Sequence, residues 1–289
     1  MEKFEWEASD SVPKKYVMRI ISGGLFDTVS SFKSMQLVKL LPLENWFVKL
    51  KAIGKAKKVV QLASADEHRY HFSLHNIDSA GGKGEQYFLP GTHSDIGGGY
   101  LDEGSDANLI VFQGTPQEAE QDRKEYLVGQ GWFKKEQLVE KVLRYHENDY
   151  GGQLLPAYVE LRVVKEKANT RVVRNAYCKI PLKLMGEAAG KSGITVKPKL
   201  ARSATDIISA FPELTKLETA ITRYIGDVGP HGSEAEHWQE PKHWKKYVPD
   251  LNAIRHQHLH FSARYNTFFG HNPRRGFFSS QRKRYVFNG

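Results

Sequence analysis

The sequence predicts an α/β protein, on three observations. Short apolar runs end in turns that are rich in glycine or carry an acid. Amphipathic, lysine-rich stretches lie between them, and past residue 150 the apolar period falls to two. With 40% hydrophobic and 26% charged residues, the 289-residue chain has the make-up of a folded globular protein, which excludes bulk disorder. The single cysteine, Cys178, excludes an intrachain disulfide framework and a Cys-rich zinc module. No apolar run reaches the ~18–20 residues of a membrane-spanning helix. The acidic start Met1-Glu-Lys-Phe-Glu-Trp-Glu lacks the apolar core of a signal peptide, so synthesis is expected in the cytoplasm without ordinary secretory export.

The elements follow in order. Residues 16–21 predict a first strand, closed by Ser22-Gly23-Gly24. Residues 33–58 predict a helix carrying Leu37, Leu40, Trp46, Phe47 and Ile53 beside seven lysines, kinked or broken at Pro42. Such a helix suits the outer surface of the fold; the alternative is a lid resting on anionic lipid. Residues 85–90 predict a second apolar strand that runs into Gly91-Thr-His-Ser-Asp-Ile-Gly-Gly-Gly99. Residues 117–130 and 135–146 read as surface helices. The alternating residues 157–164 and 170–178 predict a hairpin. Pro181 suits the first turn of a helix ending at Gly190 or Gly193, and a further helix falls near 204–225. A loop rich in Gly, Pro and His at 226–244 leads into a basic, aromatic tail. No internal repeat or low-complexity segment is present.

Charge divides the chain near residue 150, where a domain boundary is expected. Residues 1–150 hold 19 basic and 22 acidic side chains; residues 151–289 hold 23 and 11. From Arg255 onward there are seven basic residues and no acidic one. Such a surface fits nucleic acid, anionic lipid or an acidic partner. In the tail Arg274, Arg275, Arg282, Lys283 and Arg284 interleave with Phe277, Phe278 and Tyr285. That pattern also suits stacking on bases, but no nucleic-acid motif accompanies it, so anionic membrane is the expected partner.

Two strand-end turns carry candidate chemistry. Asp27 follows one apolar run and His93 another, and catalytic side chains gather at the carboxyl ends of strands in open α/β sheets. An acid followed by a histidine also fits the chain order of α/β-hydrolases. The carboxylate would hold the imidazole in one tautomer and stabilise its cation; the imidazole would take the proton of a serine hydroxyl. The alternative is a helix-capping Asp27 and a loop His93.

Gly24-Leu-Phe-Asp-Thr-Val29 and Gly91-Thr-His-Ser-Asp-Ile-Gly-Gly-Gly-Tyr100 resemble two signature motifs of the type VI secretion lipase effectors, specifically the first group of that superfamily. Ala65-Asp-Glu-His-Arg69 followed by Phe72 is similar to that family's Asp-Glu-x-Arg segment. Weaker similarities lie at Arg174-Asn-Ala-Tyr-Cys-Lys-Ile-Pro-Leu182 and His258-Leu-His-Phe-Ser-Ala263. The resemblance implies a serine esterase with an α/β-hydrolase core, mostly a parallel sheet flanked by helices, followed by a helical and hairpin region. Such effectors are antibacterial toxins that cut membrane phospholipids. It implies Asp27 as triad acid and His93 as triad base, with no metal or organic cofactor. It also implies a carrier in the secretion apparatus, an immunity protein, and delivery to a target cell's periplasm or membrane.

The third triad member implied is a serine within Gly-x-Ser-x-Gly upstream of the acid, and the 289 residues contain no such motif. Ser22, Ser30 and Ser94 flank the acid and base motifs, but none sits on a nucleophile elbow. By the resemblance, the chain is expected to be the C-terminal part of an effector, truncated or split, and inactive alone. The alternative is a non-catalytic, membrane- or partner-binding remnant of a hydrolase.

Two further patterns have alternative readings. Gly97-Gly98-Gly99 could form an anion-binding nest, or a tight turn that needs positive φ. His256, His258 and His260 alternate as on one face of a strand, and His68, His71 and His75 fall at helical spacing. Neither set has the form of a zinc hydrolase motif, so no metal is expected.

Overall fold

The computed structural model describes residues 22–29, 50–105, 109–145, 161–168, 171–229, 241–265, 272–273, 282 and 284–287. Its first strands are β1 (Ser22–Phe26), β2 (Lys58–Ser64), β3 (Leu74–His75) and β4 (Gly84–Leu89). A short helix α1 (His93–Gly97) follows, then β5 (Gly104–Ser105), β6 (Ile110–Gly114), α2 (Pro116–Asp122), β7 (Leu138–Tyr145) and β8 (Leu161–Ala168). The C-terminal part adds β9 (Val172–Val173), α3 (Lys179–Lys191), α4 (Pro198–Ser209), α5 (Pro212–Val228), α6 (Pro241–Tyr247), α7 (Leu251–His258) and β10 (Val286–Phe287). Helices and a parallel sheet together make this a mixed α/β structure. Among the described residues, no helix is long and apolar enough to cross a membrane.

β1, β2 and β4 form a parallel sheet in the order β1-β2-β4, with Ser22 opposite Lys58 and Val59 opposite Gly84. β2 lies between two partners and is buried from Val59 to Ser64, as a middle strand covered on both faces must be. The buried Gln61 donates its amide N–H groups to the His75 carbonyl at 2.9 Å and to the Gln86 side chain. On one face Leu62 and Tyr87 join Ile180, Ile208 and Leu217 in the main core. On the other, Val59 packs with Ala56, Ile77 and Ala80. Full burial of each larger aliphatic side chain contributes about 1.5–3 kcal/mol relative to exposure.

Several elements differ from the sequence expectation. Residues 16–21 lie outside the described residues, and the Ser22-Gly23-Gly24 expected to close a strand opens β1 instead. The glycine has a packing reason: a Cβ on Gly24 would stand 2.6 Å from the sulfur of Met185 on α3. The expected 33–58 helix falls mostly outside the described residues, and its end forms a 3-10 turn at Leu50–Lys55 and the start of β2. Of the helix expected at 135–146, the described residues 135–145 are not α-helical. After one 3-10 turn they form β7, because all eight residues Leu138–Tyr145 find ladder partners on β8.

The hairpin is corrected too. β8 pairs with β7 and β6, both antiparallel, whereas Val172 and Val173 pair with β5. The helix near 204–225 divides into α4 and α5 at Phe211, where Pro212 opens the second helix. Pro181 sits in the first turn of α3 as expected.

Packing runs across residue 150. β6 and β7 share their ladder with β8, and one core holds Leu62, Phe88 and Trp132 together with Tyr177, Leu217 and Phe261. Arg171 ties the C-terminal end of α7 into this core: its buried guanidinium donates to the carbonyls of Arg255, Leu259 and Trp132 at 2.9–3.0 Å.

Candidate active site

Three loops leave the carboxyl ends of β1, β2 and β4, and because the strands are parallel neighbours the loops converge at one edge of the sheet. The first presents Asp27, the second Asp66-Glu67-His68-Arg69, and the third Gly91-Thr92-His93.

Asp27 is buried and has a left-handed backbone, φ 50°, which disfavours an L-residue by about 1–2 kcal/mol. The turn is held by its own N–H, which donates to the Leu62 carbonyl at 2.8 Å. Its carboxylate accepts four hydrogen bonds. Oδ1 takes the Ser64 N–H at 2.8 Å and Arg284 Nη1 at 2.6 Å; Oδ2 takes His93 Nδ1 and Arg284 Nη2, each at 2.8 Å. Burial alone would raise the Asp27 pKa, but the Arg284 guanidinium and His93 outweigh it and hold the carboxyl far below the usual range. An ionised Asp27 requires the proton on His93 Nδ1. The other ring nitrogen, Nε2, takes no part in that contact, and the side chain remains 28% exposed.

His93 is the first residue of α1, not a loop residue. Thr92 precedes it, and the Thr92 N–H and hydroxyl both donate to Asp95 Oδ2 at 2.9 Å. The turn into this helix demands Gly91, whose φ is 107° and whose Cβ would come within 2.9 Å of Asp95 Cβ. Asp66 grips the same glycine: the Gly91 N–H donates to Asp66 Oδ2 at 2.8 Å, while Arg255 holds the other Asp66 oxygen at 2.7 Å. Gly98, φ 72°, ends α1 in the left-handed conformation, so the triple glycine forms the helix's closing turn.

Glu67 braces the backbone of His93. It is buried, accepts the His93 N–H at 3.2 Å, and pairs with Arg69 through Nε at 2.9 Å and Nη2 at 2.8 Å. Burial would raise its pKa, yet Arg69 holds it down to about 2. The Arg69 guanidinium lies 3.3 Å from the centroid of the Phe72 ring, whose edge contacts His93 at 5.4 Å between centroids. The Ser262 hydroxyl donates to Glu67 at 3.2 Å.

Of the serines singled out in the sequence, the two described, Ser22 and Ser94, make no hydrogen bond to the His93 ring. Ser22 lies at the opposite end of β1 from Asp27, Ser94 Oγ packs beside Gly99, and Ser30 is outside the described residues. Among the described residues no hydroxyl hydrogen-bonds the His93 imidazole. The histidine groupings are also separated. His256 and His258 belong to helix α7, not to a strand, and His68 and His75 lie in a turn and in β3. His258 meets Glu213 and His260 meets Asp95, each at 2.8 Å, and no three metal-ligating side chains converge among the described residues.

Sequence reasoning missed Arg284. It was expected on a basic surface with Arg282; both are instead buried, Arg282 against Asp122 at 3.0 Å and Arg284 against Asp27. The remaining basic and aromatic tail residues at 274, 275, 277, 278 and 283 lie outside the described residues. Nothing local marks the two arginines as buried, since their carboxylate partners lie 160 and 257 positions away.

Residues 2–118 match the family described as the catalytic domain of Tle1-like phospholipase effectors of the type VI secretion system. That segment is similar to the Tle1-like catalytic domain. Asp27, Glu67 and His93 lie inside it; Arg255, His260 and Arg284, which brace them, lie beyond it. A solved structure, the Tle1 effector bound to the VgrG spike from the Type 6 secretion system, is similar at 20% sequence identity and a TM-score of 0.47. The similarity covers 86% of this chain and 49% of that one, so the chain spans about half the length of that protein. No curated protein sequence matches the chain.

Proposed function

We propose that Asp27 and His93 are the acid and base of a serine-type phospholipid hydrolase of the type VI effector kind, built on an α/β-hydrolase-type core. The observation that carries this reading is the 2.8 Å contact of His93 Nδ1 with a buried, ionised Asp27 at the carboxyl edge of a parallel sheet, inside the segment that matches a phospholipase family. In the proposed reaction His93 Nε2 takes the proton of a serine hydroxyl as its oxygen attacks an ester carbonyl. The imidazolium, steadied by Asp27, then gives that proton to the departing alcohol. Water, deprotonated by the same nitrogen, releases the acyl group and restores the serine. No metal or organic cofactor takes part.

The 289 residues carry no Gly-x-Ser-x-Gly, so the serine-reactive step is not assigned to a residue of this chain. As an effector, the protein would be loaded on a carrier of the secretion apparatus, act on a phospholipid membrane in a target cell, and be blocked by an immunity protein. For membrane contact we assign residues 188–205, which hold Lys191, Lys197, Lys199 and Arg202 with no acid, beside exposed Ile194 and Leu200. The native protein from its own cell is expected to hydrolyse phospholipid esters and to take a fluorophosphonate label; the 289 residues alone are expected to remain unlabelled. Full turnover by a native His93→Ala variant would refute the assignment.

A further inference from the structure

Arg284 lies far outside the segment matched to the effector family, yet its side chain is 1% exposed and reaches the centre of the site. Nη1 donates to Asp27 Oδ1 and to Ser64 Oγ at 2.6 and 2.9 Å, Nη2 to Asp27 Oδ2 at 2.8 Å, and Nε to the Phe72 carbonyl at 2.7 Å. The backbone that carries it is stitched in place. The Leu74 N–H donates to the Tyr285 carbonyl at 2.8 Å, the Asn76 N–H to the Phe287 carbonyl at 2.9 Å, and β10 pairs in parallel with β3.

The geometry defines a task. His93 is held through one oxygen of Asp27, so the imidazole direction depends on the plane of that carboxylate. Without Arg284, Ser64 N–H would anchor Oδ1 at a single point, leaving rotation about the Cβ–Cγ bond as a soft degree of freedom. A planar guanidinium bound through two parallel N–H groups removes it; an ammonium, with one point of contact, does not. Charge keeps the buried Asp27 ionised but does not by itself call for a fork. A guanidinium on the same carboxylate draws on the negative charge that would otherwise steady an imidazolium.

We propose that Arg284 is a positioning residue: its fork fixes the plane of the Asp27 carboxylate and, through it, the orientation of the His93 imidazole. The catalytic meaning rests on the hydrolase reading above; the geometry stands without it.

The test has two arms. The 289-residue chain, labelled with 15N-histidine, reports the geometry through the low-field His93 Nδ1–H resonance, assigned as the signal missing in His93→Gln. That resonance is expected to vanish in Arg284→Met, to weaken in Arg284→Lys, and to return when millimolar guanidinium ion refills the Met variant. In the native protein kcat on a phospholipid ester is expected to fall about 10–100-fold in Arg284→Met, with KM little changed, as for a misaligned catalytic group. If Arg284→Met does not fold, Arg284→Lys decides alone. An unchanged His93 resonance in the folded variants overturns the proposal. Loss of the resonance, combined with full turnover in His93→Gln, would uphold the fork and overturn the hydrolase reading instead.

Discussion

His260 meets Asp95 at 2.8 Å, imidazole to carboxylate, with both side chains buried and 165 positions between them. The Tyr100 ring stacks on the imidazole at 3.8 Å between centroids, and Thr92 occupies the other carboxylate oxygen. Because Thr92 and Asp95 bracket His93, the pair locks the first turn of α1 to a C-terminal segment.

Removing His260 should therefore be costly, and in a pH-dependent way. Burial raises the Asp95 pKa above its ordinary value, although His260 and Thr92 work against it. A carboxyl raised on folding contributes stability below its unfolded pKa, and that contribution is lost as pH rises through the folded one. His260→Leu is expected to cost on the order of 3 kcal/mol at pH 7, and less at pH 5, where the unpaired Asp95 takes up a proton. Urea unfolding at the two pH values measures both. An equal cost at each would show that the cost does not arise from an ionised Asp95.

Glu67 has the opposite sign. Arg69 outweighs burial and lowers its pKa from 4.5 to about 2. The stability it contributes is present above pH 4.5 and is lost as pH falls toward 2, an effect on the order of 3 kcal/mol. Glu67→Gln should flatten the fall in stability across that window, read by urea unfolding at pH 6, 4 and 3. Parallel curves for the variant and the unsubstituted chain would contradict the Arg69 pairing.

Gly91→Ala tests the turn that delivers His93. With φ 107° and a Cβ 2.9 Å from that of Asp95, alanine strains the backbone and pushes α1 aside. A loss of about 2 kcal/mol in stability is expected, together with a fall in ester turnover of the native protein. Alanine tolerated in both measurements would mean that the turn does not set the site.

The basic residues divide into two kinds. Arg282→Met removes the buried guanidinium that pairs with Asp122, and should cost about 3–5 kcal/mol; replacing Asp122 with leucine at the same time should recover much of it. Lys199→Glu with Arg202→Glu, on exposed positions of α4, should leave stability nearly unchanged but weaken binding to anionic vesicles. Sedimentation with liposomes of graded charge separates the two. Vesicle binding untouched by the α4 changes would remove the membrane surface assigned to residues 188–205.

Much of the site edge was legible because its causes are local. An apolar run followed by a turn marks a strand end, so Asp27 and His93 could be named as a candidate acid and base from their own neighbourhoods. Gly91 and Gly98 announced backbone conformations that few other residues adopt. The bracing was not legible. Arg255, His260 and Arg284 find their acids 165 to 257 positions away, and no periodicity reports such partners.

By itself, the sequence determined the α/β alternation, the apolar strand β4, and the turn that sets a histidine at its end, because side-chain periodicity and turn chemistry act over a few residues. Tertiary structure alone decided that Leu138–Tyr145 is a strand, that Arg282 and Arg284 are buried, and that Asp27 shares its carboxylate between an imidazole and a guanidinium. A ladder partner or a buried counter-charge outweighs local propensity once folding brings it near, and only the completed fold specifies which group that is.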